Sequence, residues 1–319
     1  MKQLNIVMPD TSTLGDDLDF SVFENYGSVT KYSKTENNEI CERISGADII
    51  IVNKLKLNAE NLSEAKKLKL ICITATGYDN IDVEYCKSQG IAVCNVTGYS
   101  TDSVAQVTMA VALSLVNKLQ SFDSYVKTGE YSKSGVANKV VPTFHEMQGM
   151  IWGIVGLGAI GKRVANAATA LGCEVLAYKR TYDEEFDCVS IEELCRRSDI
   201  ISIHTPLNSG TMNLISRELI AKMKKNAIVV NMARGAVVDE AALAEALEEE
   251  RIGGLAVDVY TYEPVLENSP YMRLAKKDNV IFTPHMAWGA YEARVRCMEE
   301  IAKNINAFLC GEIRNRVDN

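Results

Sequence analysis

The chain has 319 residues, 47% hydrophobic and 24% charged, a make-up that fits a globular protein long enough to bury two cores. A formal net charge of -8 argues against a nucleic-acid surface, and it means that an anionic ligand must be gripped by particular cations. Apolar runs are strand-length rather than membrane-length, and the first eight residues offer an apolar run too short for a signal peptide, so a cytoplasmic location without membrane attachment is expected.

Short β-prone runs fall at 4–8, 28–32, 47–52, 68–76 and 91–96, separated by polar, helix-capable stretches. This alternation predicts a parallel sheet with helices on both faces over the first 100 residues. Thr101 to Leu119 reads as one long helix with an apolar middle, leading into a second domain. There, strands are predicted at 151–156, 174–178, 200–204, 227–232, 254–260 and 279–283, with helices at Lys162 to Leu171 and Asp239 to Glu250. A last helix, Tyr291 to Leu309, has no strand after it and is expected to return to the first domain. The fold class expected is α/β, two doubly wound parallel-sheet domains. Nine cysteines, odd in number and without a Cys-x-x-Cys pair, read as reduced core thiols, and neither disulfides nor a metal site is implied.

The most informative stretch is Ile151 to Gly161, an apolar strand running into Gly156-x-Gly158-x-x-Gly161. Glycines at this spacing give a tight turn, room for backbone to approach a pyrophosphate, and close packing of helix on strand, with the N-terminus of the following helix facing the negative charge, and Ala159 and Ile160 join Gly156, Gly158 and Gly161 as expected cofactor contacts. A nicotinamide dinucleotide is therefore expected. After the second strand, where an acid would hold the ribose hydroxyls, the chain reads Tyr178-Lys179-Arg180. Two cations there suit a 2′-phosphate, so NADP is at least as well accommodated as NAD, with NADPH favoured; the alternative is that both point into water and NADH is used.

Transfer of a hydride to a ketone leaves an oxygen that needs a proton, and histidine is the side chain suited to proton exchange near neutrality. Of three histidines, His145 lies in a loop before the glycine-rich strand, His204 ends a strand before Thr205-Pro206, and His285 ends the sixth strand, where open α/β sheets place their ligands. His285 is the preferred acid. Glu263 would orient its imidazole and favour the protonated form. Arg234 answers the demand for a cation, because a planar guanidinium grips a carboxylate bidentately and polarises the neighbouring carbonyl.

The glycine-rich turn together with Asn231-Met-Ala-Arg-Gly235, Asp258-Val-Tyr-Thr-Tyr-Glu-Pro264, Thr283-Pro-His285, Thr74 to Asp82 and Tyr99 to Gln106 resembles the D-isomer-specific 2-hydroxyacid dehydrogenase family along nearly its whole length. The resemblance implies a flavodoxin-like substrate domain (1–100 and 286–319) and a Rossmann dinucleotide-binding domain (101–285). It implies reversible hydride transfer between NAD(P)H and C2 of a short 2-oxo acid, with Arg234, Glu263 and His285 as the catalytic set. Thr76 and Gly77 would meet the substrate carboxylate, as would Arg234; Thr205, Ala233 and Asp258 would lie near the cofactor, Asp258 on the nicotinamide carboxamide. The run Thr283 to Trp288 is most similar to the glycerate dehydrogenase or hydroxypyruvate reductase branch. Hydroxypyruvate and D-glycerate are the preferred pair, with glyoxylate, pyruvate and branched 2-oxo acids open. Family likeness also implies a homodimer, with helix 101–119 and the loop to 150 as contact. A cofactor-sensing, corepressor-like interaction protein is the alternative from another class.

Overall fold

A computed structural model describes residues 4–180 and 183–319. The chain divides into two compact units, Met1–Ser100 with Gly289–Asn319, and Thr101–Trp288.

In the first unit, β1 (Leu4–Met8), β2 (Gly27–Lys31), β3 (Ile49–Val52), β4 (Leu70–Ile73) and β5 (Ala92–Cys94) form one parallel sheet in the order β2-β1-β3-β4-β5. That order is the flavodoxin-like winding. The runs Ile-Ile-Ile-Val and Leu-Ile-Cys-Ile are continuously apolar because β3 and β4 are buried on both faces. The helix Tyr291–Leu309 packs on β4 and buries Cys297, Ile301 and Ile305, a four-residue spacing that makes one apolar stripe. Beyond it the chain runs antiparallel along β5: Val317 N–H donates to the Val93 carbonyl, Asn95 N–H to that of Asn315, and Val93 N–H to Asp318 Oδ1 at 2.9 Å. The edge of the sheet is thereby closed.

The second unit holds β6 (Ile151–Val155), β7 (Glu174–Tyr178), β8 (Asp187–Cys188), β9 (Ile200–Ile203), β10 (Ile228–Asn231), β11 (Gly254–Val257) and β12 (Val280–Phe282). In their order, β12-β11-β10-β9-β6-β7-β8, the six strands β8-β7-β6-β9-β10-β11 follow the 3-2-1-4-5-6 winding of the dinucleotide-binding fold and β12 extends it, so the reading of six strands becomes seven. The strand that the sequence does not signal is β8, two residues at the edge, too short to leave a hydrophobic pattern. The helix read as Thr101 to Leu119 ends at Val116, because Lys118 adopts φ 56 and turns the chain into a separate helix, Leu119–Lys127. The strand expected over 254–260 stops at Val257; the Asp258 N–H still donates to the Asn231 carbonyl at 3.1 Å, while its side chain serves another loop.

One row of this sheet sets the height of the loops above it. Tyr178, Val155, Ile203, Asn231, Val257 and Phe282 are successive register partners across β7, β6, β9, β10, β11 and β12. Six loops leave the carboxyl ends of six parallel strands from one level. Beneath the row the sheet is packed on both faces, with Val155, Ile201, Val229, Leu255 and Val257 in one core and Trp152, Ile154, Ile200, Val230 and Ala256 in the other.

The tail contact in the first unit generates a stability prediction. Replacing Asp318, which is 7% exposed, by Ala leaves the buried Val93 amide without its acceptor and costs about 1 to 3 kcal/mol. Denaturant unfolding and hydrogen exchange at Val93 check this; unchanged exchange would show that the tail does not hold the edge.

Candidate active site

Beyond Val155 the chain turns at Gly156, whose φ of 98 is in the left-handed region and whose added Cβ would lie 2.8 Å from the His204 carbonyl carbon and the Thr205 nitrogen. The helix Ala159–Ala170 then starts at Gly158, and a Cβ on Gly161 would collide with the Gly156 oxygen. Gly158 differs from both, since a Cβ there would meet no protein atom within 4 Å. It brings no capping side chain and the first turn holds no acid, so the leading N–H groups of Ala159, Ile160 and Gly161 are left for an anion. Two glycines are therefore required by the protein itself, and the third leaves open space where backbone must approach a ligand. This arrangement fits a dinucleotide pyrophosphate.

After Tyr178, Arg180 is exposed and Lys179 is not free in the way the sequence suggests. Its Nζ lies 3.0 Å from Asp183 Oδ2, which also pairs with Lys162 Nζ at 3.0 Å. Hydrogen bonds from Lys162 and then Lys179 hold the Asp183 carboxyl down to about 2. Asp183 is a residue that sequence reasoning missed; it follows the strand by five positions and nothing in its local context marks it. Thr205 follows β9, half-buried, against Gly156.

On β10, Asn231 is 1% exposed, and its side chain shapes the next turn: Oδ1 accepts Ala233 N–H at 3.1 Å and Nδ2 donates to the Arg234 carbonyl at 3.0 Å. Arg234 is half-buried, with Nη1 donating to the Ala233 carbonyl at 2.8 Å. Gly235 packs against the loop that follows β11, for a Cβ there would collide with the Tyr260 carbonyl carbon. On that loop the Tyr260 N–H donates to Glu263 Oε1 at 3.1 Å, and Glu263 Oε2 accepts the His285 Nδ1–H at 2.6 Å. The sequence-predicted Glu263 and His285 are thus hydrogen-bonded, although 22 residues separate them.

Asp258 has a place that the sequence does not suggest. It is 1% exposed, and its carboxylate accepts Thr283 Oγ1–H at 2.6 Å, Met286 N–H at 2.8 Å and Ala287 N–H at 2.9 Å. It clamps the turn that carries His285, whose φ of 53 is left-handed and unfavourable for a side chain of this kind. Trp288 Nε1–H donates to the His285 carbonyl and Tyr260 hydroxyl to that of Thr283, each a further brace.

The other histidines are elsewhere or unsuited. His145 lines a cavity with Met150, Asp199 and Gly253, at the amino ends of the strands. His204 lies near the glycine turn, with Nε2 3.0 Å from Ser202 Oγ, but its Nδ1 is sealed from solvent without a hydrogen-bond partner, and burial pushes its pKa down to about 3. In the first unit, the Thr76 hydroxyl donates to the Val96 carbonyl at 2.9 Å, and Gly77 follows it on the loop after β4. Among the described residues no group of three or more His, Cys, Asp or Glu could hold a metal ion, and no helix is long and apolar enough to cross a membrane.

Residues 109–287 match the family described as D-isomer-specific 2-hydroxyacid dehydrogenase, NAD-binding domain. The glycerate dehydrogenase of Methylorubrum extorquens is 36% identical over 88% of this chain and 88% of its own. The chain belongs to the D-isomer-specific 2-hydroxyacid dehydrogenase family. Two solved members of its fold cover nearly all of it. The D-lactate dehydrogenase of Aquifex aeolicus, complexed with NAD and lactic acid, superposes with a TM-score of 0.85 at 33% identity over 99% of both chains. An acyclic imino acid reductase in complex with NADPH and D-Arg gives 0.86 at 30% identity, covering 98% of this chain and 100% of its own. The chain is therefore an oxidoreductase of this family with a nicotinamide dinucleotide as cofactor. The corepressor-like alternative finds no support in these relatives.

Gly158→Ala leaves the unliganded protein's melting temperature unchanged, because the new methyl meets nothing, but weakens dinucleotide binding by about tenfold or more, some 1.4 kcal/mol, by titration; equal affinity would remove the pyrophosphate from this turn. His204 stays neutral in the folded chain but titrates near 6.5 once unfolded, so the unfolded state takes up the extra proton below that value. Its contribution is complete above pH 6.5 and is lost toward pH 3 at about 1.4 kcal/mol per unit, or about 2 kcal/mol by pH 5. His204→Leu should lose correspondingly less stability between pH 7 and pH 5 in denaturant titrations, and equal slopes would count against the assignment.

Proposed function

We propose that this dehydrogenase reduces hydroxypyruvate, and glyoxylate as a smaller competitor, to the D-2-hydroxy acid with NADPH as the preferred cofactor. The observation that carries the reading is the 2.6 Å hydrogen bond between His285 Nδ1 and Glu263 Oε2 on a loop registered with that of Arg234. A carboxylate at Nδ1 fixes the orientation of the ring, which leaves Nε2 as the nitrogen that exchanges a proton with the substrate oxygen. The nicotinamide, when bound, supplies the hydride to C2. Arg234 grips the carboxylate and polarises the 2-oxo oxygen, and as hydride arrives at carbon His285 passes its Nε2 proton to that oxygen, leaving a neutral imidazole on Glu263. In the reverse direction the same ring takes the hydroxyl proton.

Gly156, Gly158 and Gly161 are the pyrophosphate turn in this reading, with Thr205 and Ala233 beside the dinucleotide. Thr76 and Gly77 keep the carboxylate role that the family likeness gives them. Preference for the 2′-phosphate rests on Lys179 and Arg180, and the pairing of Lys179 with Asp183 puts most of that work on the exposed Arg180. Because Asp258 already accepts three hydrogen bonds from the His285 turn, its remaining acceptor capacity is small, and a nicotinamide contact there is secondary to the clamp. Substrate choice draws on the likeness of Thr283 to Trp288 to glycerate dehydrogenases and on the name of the Methylorubrum extorquens relative. A cytosolic homodimer is part of the proposal, supported by exposed Leu119, Val126, Val136, Val140, Val141 and Phe144 on one segment, which a second copy would cover.

Steady-state reduction of hydroxypyruvate, glyoxylate and pyruvate with NADPH and NADH tests this. His285→Ala should lower kcat by about 10²- to 10⁴-fold. Changing Arg180 to Asp should cut the NADPH-over-NADH preference by roughly 10- to 100-fold, the worth of one charge-assisted contact, and more than the same change at Lys179. Wild-type preference for NADH would refute the cofactor part, and tight cofactor binding with no turnover on any 2-oxo acid would refute the activity.

A further inference from the structure

Glu240, the first residue of helix Glu240–Glu248, lies outside the motifs named above, yet it touches the loop that carries Glu263. Its Oε1 accepts the Thr261 N–H at 2.7 Å, across 21 residues. The Tyr260–Thr261 peptide is held from another side by Gly235, where a Cβ would collide with both the Tyr260 carbonyl carbon and the Thr261 nitrogen. The turn then closes on itself, Tyr260 N–H donating to Glu263 Oε1 at 3.1 Å, while Oε2 meets His285. Residues 260–264 lie in no helix or strand, so their amides have no ladder to fix them. Within this turn, Thr261 N–H anchors to the helix and Tyr260 N–H to Glu263.

We propose that Glu240 is a positioning residue for the Glu263–His285 pair: by accepting the Thr261 N–H it holds the 260–263 turn against the Arg234–Gly235 turn, and so sets the orientation in which Glu263 meets the imidazole. The proposal rests on the roles assigned above to Glu263 and His285. The carboxyl of Glu240 is half-buried, and burial, aided by the neighbouring Glu263 charge, raises its pKa against the lowering effect of the Thr261 N–H, which places the two carboxylates within electrostatic reach. What the turn needs from position 240 is an acceptor at the reach of a Glu side chain. Gln keeps that oxygen without the charge, Asp keeps the charge at the helix N-terminus but retracts the oxygen by one methylene, and Ala removes both.

The experiment compares Glu240→Gln, Glu240→Asp, Glu240→Ala and His285→Ala in the full chain. It measures kcat and KM on the 2-oxo acid turned over fastest, dinucleotide affinity, melting temperature and the His285 imidazole N–H resonances in ¹⁵N-histidine-labelled protein. Ala and Asp are expected to lower kcat by about 10-fold, since misplacement of a catalytic group by about 1 Å costs up to about 100-fold, with KM and dinucleotide affinity within about twofold of wild type. They are also expected to shift the His285 Nδ1–H resonance, and Gln to restore both rate and resonance. Wild-type kcat and resonance in Ala and Asp would overturn the proposal, as would Gln being as slow as Ala. If Ala melts early, Asp and Gln decide, because both keep a polar side chain at the helix start. His285→Ala separates the two levels: if it is slow while the Glu240 variants are not, only the positioning role falls, and if it is as fast as wild type the dyad reading and this proposal fall together.

Discussion

The register of six parallel strands is the constraint on which the site depends. Tyr178, Val155, Ile203, Asn231, Val257 and Phe282 stand in one row, so the glycine turn, Thr205, Arg234, Asp258 and His285 all emerge within three residues of a common level. A slip of one strand by one residue would reverse which side chains face each core, exchanging the sets that contain Val229 and Val230 on β10, for example. Packing on both faces therefore fixes the height of the loops before any polar contact forms. The polar side chains of these loops are thus placed by the apolar residues beneath them.

Above that row, position passes from packing to hydrogen bonds made by buried polar side chains. Asn231 shapes the Arg234 turn, Asp258 the His285 turn, and the Glu263 turn is bounded by Gly235. Each of these residues either ends a strand or lies within a few residues of one, so each inherits the precision of the sheet. Burying Asp258 at 1% exposure is tolerable because three donors converge on it, and an unpaired carboxylate there would be strongly unfavourable. The same economy of placement explains the glycines, which serve by leaving room: Gly156, Gly161 and Gly235 for other backbone, Gly158 for a ligand.

Much of this was legible in the residues alone. The βα alternation, both sheets and the pairing of Glu263 with His285 are signalled by periodicity and by motifs carried on short segments. What escaped was non-local or too small to leave a pattern. The two-residue strand β8 has no period, and the helix break at Lys118 depends on one left-handed residue that is neither Gly nor Asn. Asp183 could not be seen as the partner of Lys162, because that contact joins a helix to a loop across 21 residues, and its pairing with Lys179, four residues away, has no helical or strand period to signal it. For Asp258, motif context pointed to a ligand, whereas the fold turns its carboxylate toward a loop 25 to 29 residues later. Sequence spacing identifies which residue types chemistry needs, and it is nearly blind to which buried group holds them.

His285 shows why such holding groups are required. A histidine at φ 53 costs of the order of 1 to 3 kcal/mol relative to an extended or helical backbone, and the turn would relax if nothing opposed it. Three hydrogen bonds to the Asp258 carboxylate, each worth about 1 kcal/mol or more when the acceptor is charged, are enough to offset that cost, with the Trp288 and Tyr260 bonds in addition. The backbone so held aims the imidazole at Glu263 rather than along the strand. Relief of the strain by a glycine at 285 would remove the imidazole that pairs with Glu263, so keeping that pair keeps the unfavourable φ, and the burden of stability moves to Asp258. A buried carboxylate one residue past β11 thus sustains the backbone that brings His285 to Glu263.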